Sequence, residues 1–425
     1  MPPECLAAGK RCFIDFFAVA LAGSREPVAE VLEKYLGREE GVCSVIGIGR
    51  RTTPEGAAFA NGVLGHVLDY DDVKSRIGHG TVVLAPPLLA LGEQLRKSGL
   101  EILVAFIAGF EISSRIANAV EPAHTQRGWH STSTCGVFGA AAACSKLLGL
   151  ERNAFLGALG LAGSLSGGIR KNLATPAKPV HAGQAAQNGL KAAIFSSLGI
   201  PGALDIFSGK GSFGEAFSSP IDQSRLLLNL GKDFEIHHNG FKLYPCCASA
   251  HSAIDAILEL RRRGLRPEMV AQIRVGTVPL VLDNLVYADP QNTAECRFSL
   301  HFCLSVALVD GRLDLDNFSP ERMRDPRLRD LMRKIDLYRD PEMTPLGYRG
   351  TENASVQVVT HGGEVLKKRI DEAHGRPSNP LSGEELEGKF RRCARRAISD
   401  EQAEKLLSAL TALEKWADVG TLLDW

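Results

Sequence analysis

The chain has 425 residues, long enough to bury a large core and to form two domains. Lysine plus arginine and aspartate plus glutamate number 49 each, so no global charge draws it to nucleic acid or to a membrane surface. Aromatic residues make up only 6% while alanine and glycine abound, a composition suited to closely packed helices. Ten cysteines are scattered with no CxxC spacing, which argues against a zinc site or a dithiol redox motif. They read as reduced packing thiols, and the expected compartment is reducing and cytoplasmic.

In chain order, residues 10–23 imitate a signal peptide, yet Asp15 interrupts the apolar run. Phe13, Phe16, Phe17, Ala20 and Leu21 follow i, i+3, i+4, i+7, i+8 spacing, so a core helix is expected there. No stretch approaches the ~20 apolar residues of a membrane span. Next comes Asp69-Tyr70-Asp71-Asp72, followed by His79. Alone, such an acidic cluster is a solvated turn; placed inside, it requires cations or hydrogen-bond donors facing it. His66 and Asp69 would share a helical face and could begin a metal site. No further ligand cluster accompanies them, and no metal is expected.

Residues 102–120, 137–148 and 184–198 carry helical apolar spacing, and Gly136 and Gly139 would let two helices approach closely. Two segments between these helices are the most informative of the chain. Gly128-Trp129-His130-Ser131-Thr132-Ser133-Thr134 and Lys178-Pro179-Val180-His181-Ala182-Gly183 each set a titratable or cationic side chain at a break before small residues. A helix starting there would aim free backbone N–H groups into the same space, which suits a substrate rich in carboxylates. Arg170 and Lys171 would add a carboxylate clamp. Residues 209–214 match GxGxxG formally, but a helical surround and Pro201-Gly202 argue against a dinucleotide site. No cofactor is expected.

The texture changes near residue 236. Lys242-Leu243-Tyr244-Pro245-Cys246-Cys247 brings another lysine, and residues 272–278 and 354–360 alternate as strands do. His361-Gly362-Gly363 ends the second of these in a turn. After Pro380, Ser382 is a plausible N-cap for two polar-faced helices. The predicted fold class is α+β. Segments 1–235 and 378–425 form a large all-helical domain, and 236–377 an inserted, smaller α+β lid domain.

The motifs resemble the MmgE/PrpD family, which includes 2-methylcitrate dehydratase, cis-aconitate decarboxylase and iminodisuccinate epimerase. The matching stretches are Phe59-Ala60-Asn61-Gly62, His66 through Asp72, His79, Gly128 through Thr134, Lys178 through Gly183, Lys242 through Cys247, and Phe298-Ser299-Leu300. They occur in the family's order over nearly the whole chain. The resemblance implies a helical domain, a smaller lid, a homodimer and no required metal. It carries over Asp69, His79, His130, Lys178 and Lys242 as the catalytic set. Arg170, Lys171, Thr132 and Tyr244 are the substrate-binding candidates of the chain. The sequence departs from the family pattern at Val73, Gly80, Ser131 and His301. The family's usual first helix is expected to be missing or shortened before Pro3.

The chemistry this set predicts is proton transfer at a carbon beside a carboxylate, ending in dehydration or decarboxylation of a small di- or tricarboxylate. The lysines would stabilise the developing negative charge while His79 and His130 act as general acid and base, and Asp69 orients one of them. Neither lysine is expected in a core, so replacing either should leave folding nearly intact. An epimerase of a dicarboxylate such as iminodisuccinate is the alternative, because the same elements suit a two-base mechanism. A non-catalytic dimeric binding protein is a third reading, prompted by the departures.

Overall fold

The computed structural model describes residues 1–219, 221–343 and 353–423. The chain divides into two compact units. The first comprises Met1–Asn172, Ala177–Asn239 and Ser382–Trp425; the second comprises Leu173–Pro176 and Gly240–Leu381. No helix among the described residues is long and apolar enough to cross a membrane.

The first unit is built of helices. Pro3–Gly23 buries Phe13, Phe16, Phe17, Ala20 and Leu21, the stripe expected from the spacing. Lys178–Ser197 packs against Pro54–His66, Thr81–Leu95, Gly136–Leu148 and Arg152–Ser164. Small residues make that packing possible. A Cβ on Gly62 would sit 2.8 Å from the Gly183 Cα, so Pro54–His66 and Lys178–Ser197 touch backbone to backbone. Gly109 and Gly139 do the same for Gly99–Val120 and Gly136–Leu148, where a Cβ on Gly109 would meet the Gly139 carbonyl oxygen at 2.5 Å.

The segment 1–235, expected to be all-helical, also contains strands. Cys43–Val45 and Arg50–Thr52 pair as a short antiparallel hairpin. Gly47 and Gly49, both at φ +73°, take the left-handed conformation that turns the chain between the strands. Asn61 holds this hairpin to the helix below, accepting from the Ile46 N–H at 2.8 Å and donating to the Ser44 carbonyl at 2.9 Å. The C-terminal segment adds Gly383–Ala394 and Asp400–Thr411. Ser382 caps the first of them in a reciprocal box with Glu385, as its position predicted.

The second unit carries a four-stranded sheet. Val270–Thr277 runs parallel to Ile335–Arg339 on one side and antiparallel to Ala354–Thr360 on the other, and Val365–Ile370 completes the order at the edge. His251–Arg262 packs on the last two strands. Ile254, Ile257, Val275, Val356, Val358 and Phe302 belong to one apolar cluster that forms this unit's core. The edge strand exposes every second residue and carries Lys367, Lys368 and Arg369, a charge pattern that discourages further strand pairing.

Candidate functional site

Pro54–His66 ends at His66, and the chain then turns sharply before Thr81–Leu95 begins. Asp69 takes φ +48° in this turn, a conformation that strains a residue with a Cβ and recurs at functional sites. It is therefore off the helix, and the expected His66–Asp69 helical face does not exist. The turn brings three aspartates inward, where each finds a different partner.

Asp71 is the hub. Its oxygens lie 2.9 Å from His66 Nδ1 and 2.8 Å from His79 Nδ1. Burial acts to raise its carboxyl, but the two imidazoles outweigh that effect and hold it well below the usual carboxylate range. An anionic acceptor facing both rings makes each of them an Nδ1–H donor, which leaves both Nε2 atoms as bases. The His79 Nδ1–H also faces the Asp72 carbonyl at 3.0 Å. Burial outweighs the opposing pull of Asp71 and lowers the pKa of His66, which favours the neutral ring.

Asp69 takes the cation. Lys178 Nζ lies 2.6 Å from Asp69 Oδ1, and His79 Nε2 lies 3.8 Å from the same oxygen. Lys178 is the first residue of Lys178–Ser197, so the break foreseen before Pro179 is real. The expectation that neither lysine belongs to a core is overturned: Lys178 is 6% exposed and Lys242 1%. The physical reason at Lys178 is the buried carboxylate waiting for it.

Asp72 turns the other way, accepting from the Thr81 hydroxyl and from Asn239 Nδ2. Burial, with the nearby Asp15, lifts its carboxyl to about 7. Asp15 itself meets Lys389 Nζ at 2.6 Å, and the same ammonium donates to the Tyr70 carbonyl at 2.6 Å and lies 4.0 Å from the centre of the Tyr70 ring. The C-terminal segment thereby pins the turn that carries the three aspartates.

His130 caps Ser131–Thr134 and is buried. Burial first, then Lys178 and His181, push its pKa well below the ordinary value, and His66 and His79 contribute in the same direction. Asp69, His79, His130 and Lys178 thus belong to one charged neighbourhood. Thr132 does not present a free hydroxyl: it accepts from the His79 backbone N–H at 3.1 Å and donates to the Ile77 carbonyl at 3.2 Å. It therefore shapes the turn bearing His79. Arg170 lies half-buried in a short 3-10 turn tied by its backbone to Gly128 at 2.8 Å, and Lys171 is exposed beside it. Lys242 and Tyr244 lie in the second unit, where the Tyr244 hydroxyl donates to Asp255 at 2.6 Å.

Of the departures, Gly80 has a packing reason. A Cβ there would meet the Phe110 ring at 2.7 Å. His301 sits on Leu300–Asp310 in the second unit, where burial lowers its pKa.

Several polar residues of this neighbourhood carry roles that composition and spacing did not assign: Asp71, His181, Asp15, Lys389 and Asn239. Asp15 had given a signal as the one acid in an apolar stripe. Lys389 had given none. Ligand-type atoms of His66, Asp69, Asp71 and His79 also lie within 4.8 Å of one another, close enough to chelate. The hydrogen bonds just described already employ several of these atoms, and a fixed ammonium on Asp69 opposes a dication in the same place.

Two family models match most of the chain. The MmgE/PrpD N-terminal domain matches residues 1–225, and the MmgE/PrpD C-terminal domain matches residues 244–415. The chain belongs to the MmgE/PrpD family. Among MmgE/PrpD relatives, it is 29% identical over 432 residues to the cis-aconitate decarboxylase of Mus musculus, covering 97% of this chain and 87% of that protein. The Homo sapiens cis-aconitate decarboxylase is likewise 29% identical over 428 residues, covering 97% and 88%. A cis-aconitate decarboxylase-like protein of Aspergillus oryzae is 29% identical over 451 residues, covering 100% and 93%.

Proposed function

We propose that this chain is a carbon–carbon lyase that decarboxylates cis-aconitate or a tricarboxylate closely similar to it. The observation that carries the reading is the arrangement of His79, held as an Nδ1–H tautomer by Asp71, with its Nε2 turned toward the Asp69–Lys178 pair. Similarity to cis-aconitate decarboxylases over nearly the full chain supports the substrate class.

Decarboxylation breaks a C–C bond and leaves its electron pair on the substrate. In an unsaturated polycarboxylate that pair spreads into the neighbouring double bond and carboxylate. A desolvated ammonium stabilises the spreading charge where water would have to reorganise to do so. In this reading Lys178 supplies that cation. The pair is then quenched by one proton delivered to carbon, so each turnover releases carbon dioxide and consumes a proton. In this reading His79 and His130 are the groups placed to move that proton.

The test is incubation with cis-aconitate, citrate, methylcitrate and iminodisuccinate in D₂O, followed by NMR and carbon dioxide release. The expected result is decarboxylation of cis-aconitate with one deuterium at carbon, unchanged by exhaustive chelation. Loss of water without carbon dioxide would move the protein to the dehydratases. Inversion with no group lost would make it an epimerase, and binding without exchange or turnover would make it a binding protein. Activity lost to chelation and restored by one metal would turn His66, Asp69, Asp71 and His79 into ligands. Homodimerisation and a cytoplasmic location belong to the same proposal. The family resemblance supports the first and is checked by sedimentation at micromolar concentration. Ten unpaired cysteines support a reducing compartment.

A further inference from the structure

Between Asp72 and His79 the chain makes a closed loop. Lys74 and Gly78 exchange backbone hydrogen bonds, N–H to carbonyl in both directions, at 2.8 Å. Arg76 and Gly78, at φ +74° and +78°, turn the chain back within it. His79 follows directly, so whatever sets the loop in place also sets the imidazole. A loop closed on itself is stiff inside, but its orientation has to be fixed from outside.

We propose that Glu235 and Asn239 are positioning residues that clamp this loop and thereby hold His79 against Asp71. The proposal rests on the decarboxylase reading, in which His79 moves a proton. Glu235 opens the 3-10 turn Glu235–His238 and Asn239 follows it, so both side chains leave one short segment. The Glu235 carboxylate meets Lys74 Nζ at 2.8 Å, with the lysine side chain fully buried and that of the glutamate 12% exposed. Asn239 donates to the Asp72 carboxylate, and the Asp72 carbonyl faces His79 Nδ1 at 3.0 Å. One segment thus grips the loop at its entry and at its stem.

The clamp is itself anchored. Glu235 Oε1 accepts from Asn118 Nδ2 at 2.9 Å, and the Glu235 N–H donates to Glu111 Oε2 at 2.8 Å; both partners lie on Gly99–Val120. Arg76 reaches the same helix, donating to the Asn118 carbonyl at 3.2 Å. Burial acts to raise the Glu235 carboxyl, but Lys74, with Arg115 and Asn118, outweighs it and holds the pKa below its ordinary value. The pair is therefore ionised. A buried ion pair adds little net stability over a well-packed apolar pair. What it provides here is one fixed distance and direction between the loop and the segment. Placement of that kind matters to a proton-transfer group, since a misplacement of about 1 Å can cost about 10² in rate.

A double-variant cycle separates positioning from stability. Lys74→Met and Glu235→Gln should each lower the urea midpoint, the first by stranding a buried carboxylate and the second a buried ammonium. Together they remove both charges, so the midpoint should return toward that of the wild type. For cis-aconitate, kcat of the double variant should stay about 10–100-fold down with KM within about twofold. Asn239→Leu leaves the ion pair whole, serves where a Lys74 variant does not fold, and should lower kcat about tenfold by itself. Turnover that recovers together with the midpoint would reveal a purely structural pair and overturn the clamp, as would full turnover in Asn239→Leu. Long-range ¹H–¹⁵N NMR of histidine-labelled protein reads the placement without turnover. The wild type should hold His79 as the Nδ1–H tautomer alone, and the double variant and Asn239→Leu should each show a mixture of tautomers. An unchanged His79 tautomer in those variants would overturn the clamp. If the wild type decarboxylates none of the candidate acids, the functional reading fails while the NMR result still decides the clamp.

Discussion

Replacing Lys178 with methionine should cost about 10²–10³ in turnover and, at the same time, about 3–5 kcal/mol of stability. The two losses have one cause. The ammonium lies 2.6 Å from Asp69 Oδ1, with both residues buried. Without the cation the aspartate remains in a low-dielectric site as a charge deprived of its counterpart, and that is the costly state of a broken buried pair. Adding Asp69→Asn removes the carboxylate charge, so the double variant should regain most of the stability and none of the activity. Urea unfolding and carbon dioxide release on the single and double variants complete the cycle. A Lys178→Met protein as stable as the wild type would show that the pair is effectively solvated. A double variant with near-normal turnover would remove Lys178 from the mechanism.

Lys389→Met should be comparably damaging although the residue lies outside the proposed chemistry. Its ammonium serves Asp15 and the Tyr70 carbonyl, each at 2.6 Å, and packs on the Tyr70 ring. Burial already raises the Asp15 carboxyl, and Lys389 is the main influence opposing that rise. Removing the lysine pushes the pKa higher. A group whose folded pKa exceeds its unfolded value contributes stability that is present below the unfolded value and lost as pH rises through the folded one. The loss in Lys389→Met should therefore be small near pH 4 and grow toward neutrality, reaching about 3–5 kcal/mol. Asp15→Asn in the same chain should flatten that dependence. Equal destabilisation at pH 5 and pH 8 would refute the charge argument. Turnover should fall as well, since Tyr70 lies between Asp69 and Asp71 in the turn.

Local sequence determined what local forces decide. The apolar spacing of Phe13, Phe16, Phe17, Ala20 and Leu21 required one buried face, and the helix Pro3–Gly23 buries it. Alternation over residues 354–360 specified the strand Ala354–Thr360, because a strand of period two can bury only alternate positions on one face. Ser382 with Glu385 marked a helix start through hydrogen bonds three residues apart. Ordered motifs likewise identified the family, and with it the residue types that gather around Asp69, His79, His130 and Lys178. Tertiary structure decided how those residues are used. Three neighbouring aspartates look alike in sequence, yet one holds an ammonium, one bridges two imidazoles and one accepts from a hydroxyl and an amide. Thr132, a candidate ligand for substrate, spends its hydroxyl on the turn bearing His79. His130 meets His181 across 51 residues, and Asp15 meets Lys389 across 374. Such pairs leave no periodic trace, because the charge that makes a buried lysine tolerable comes from a different helix, and only packing brings the two together.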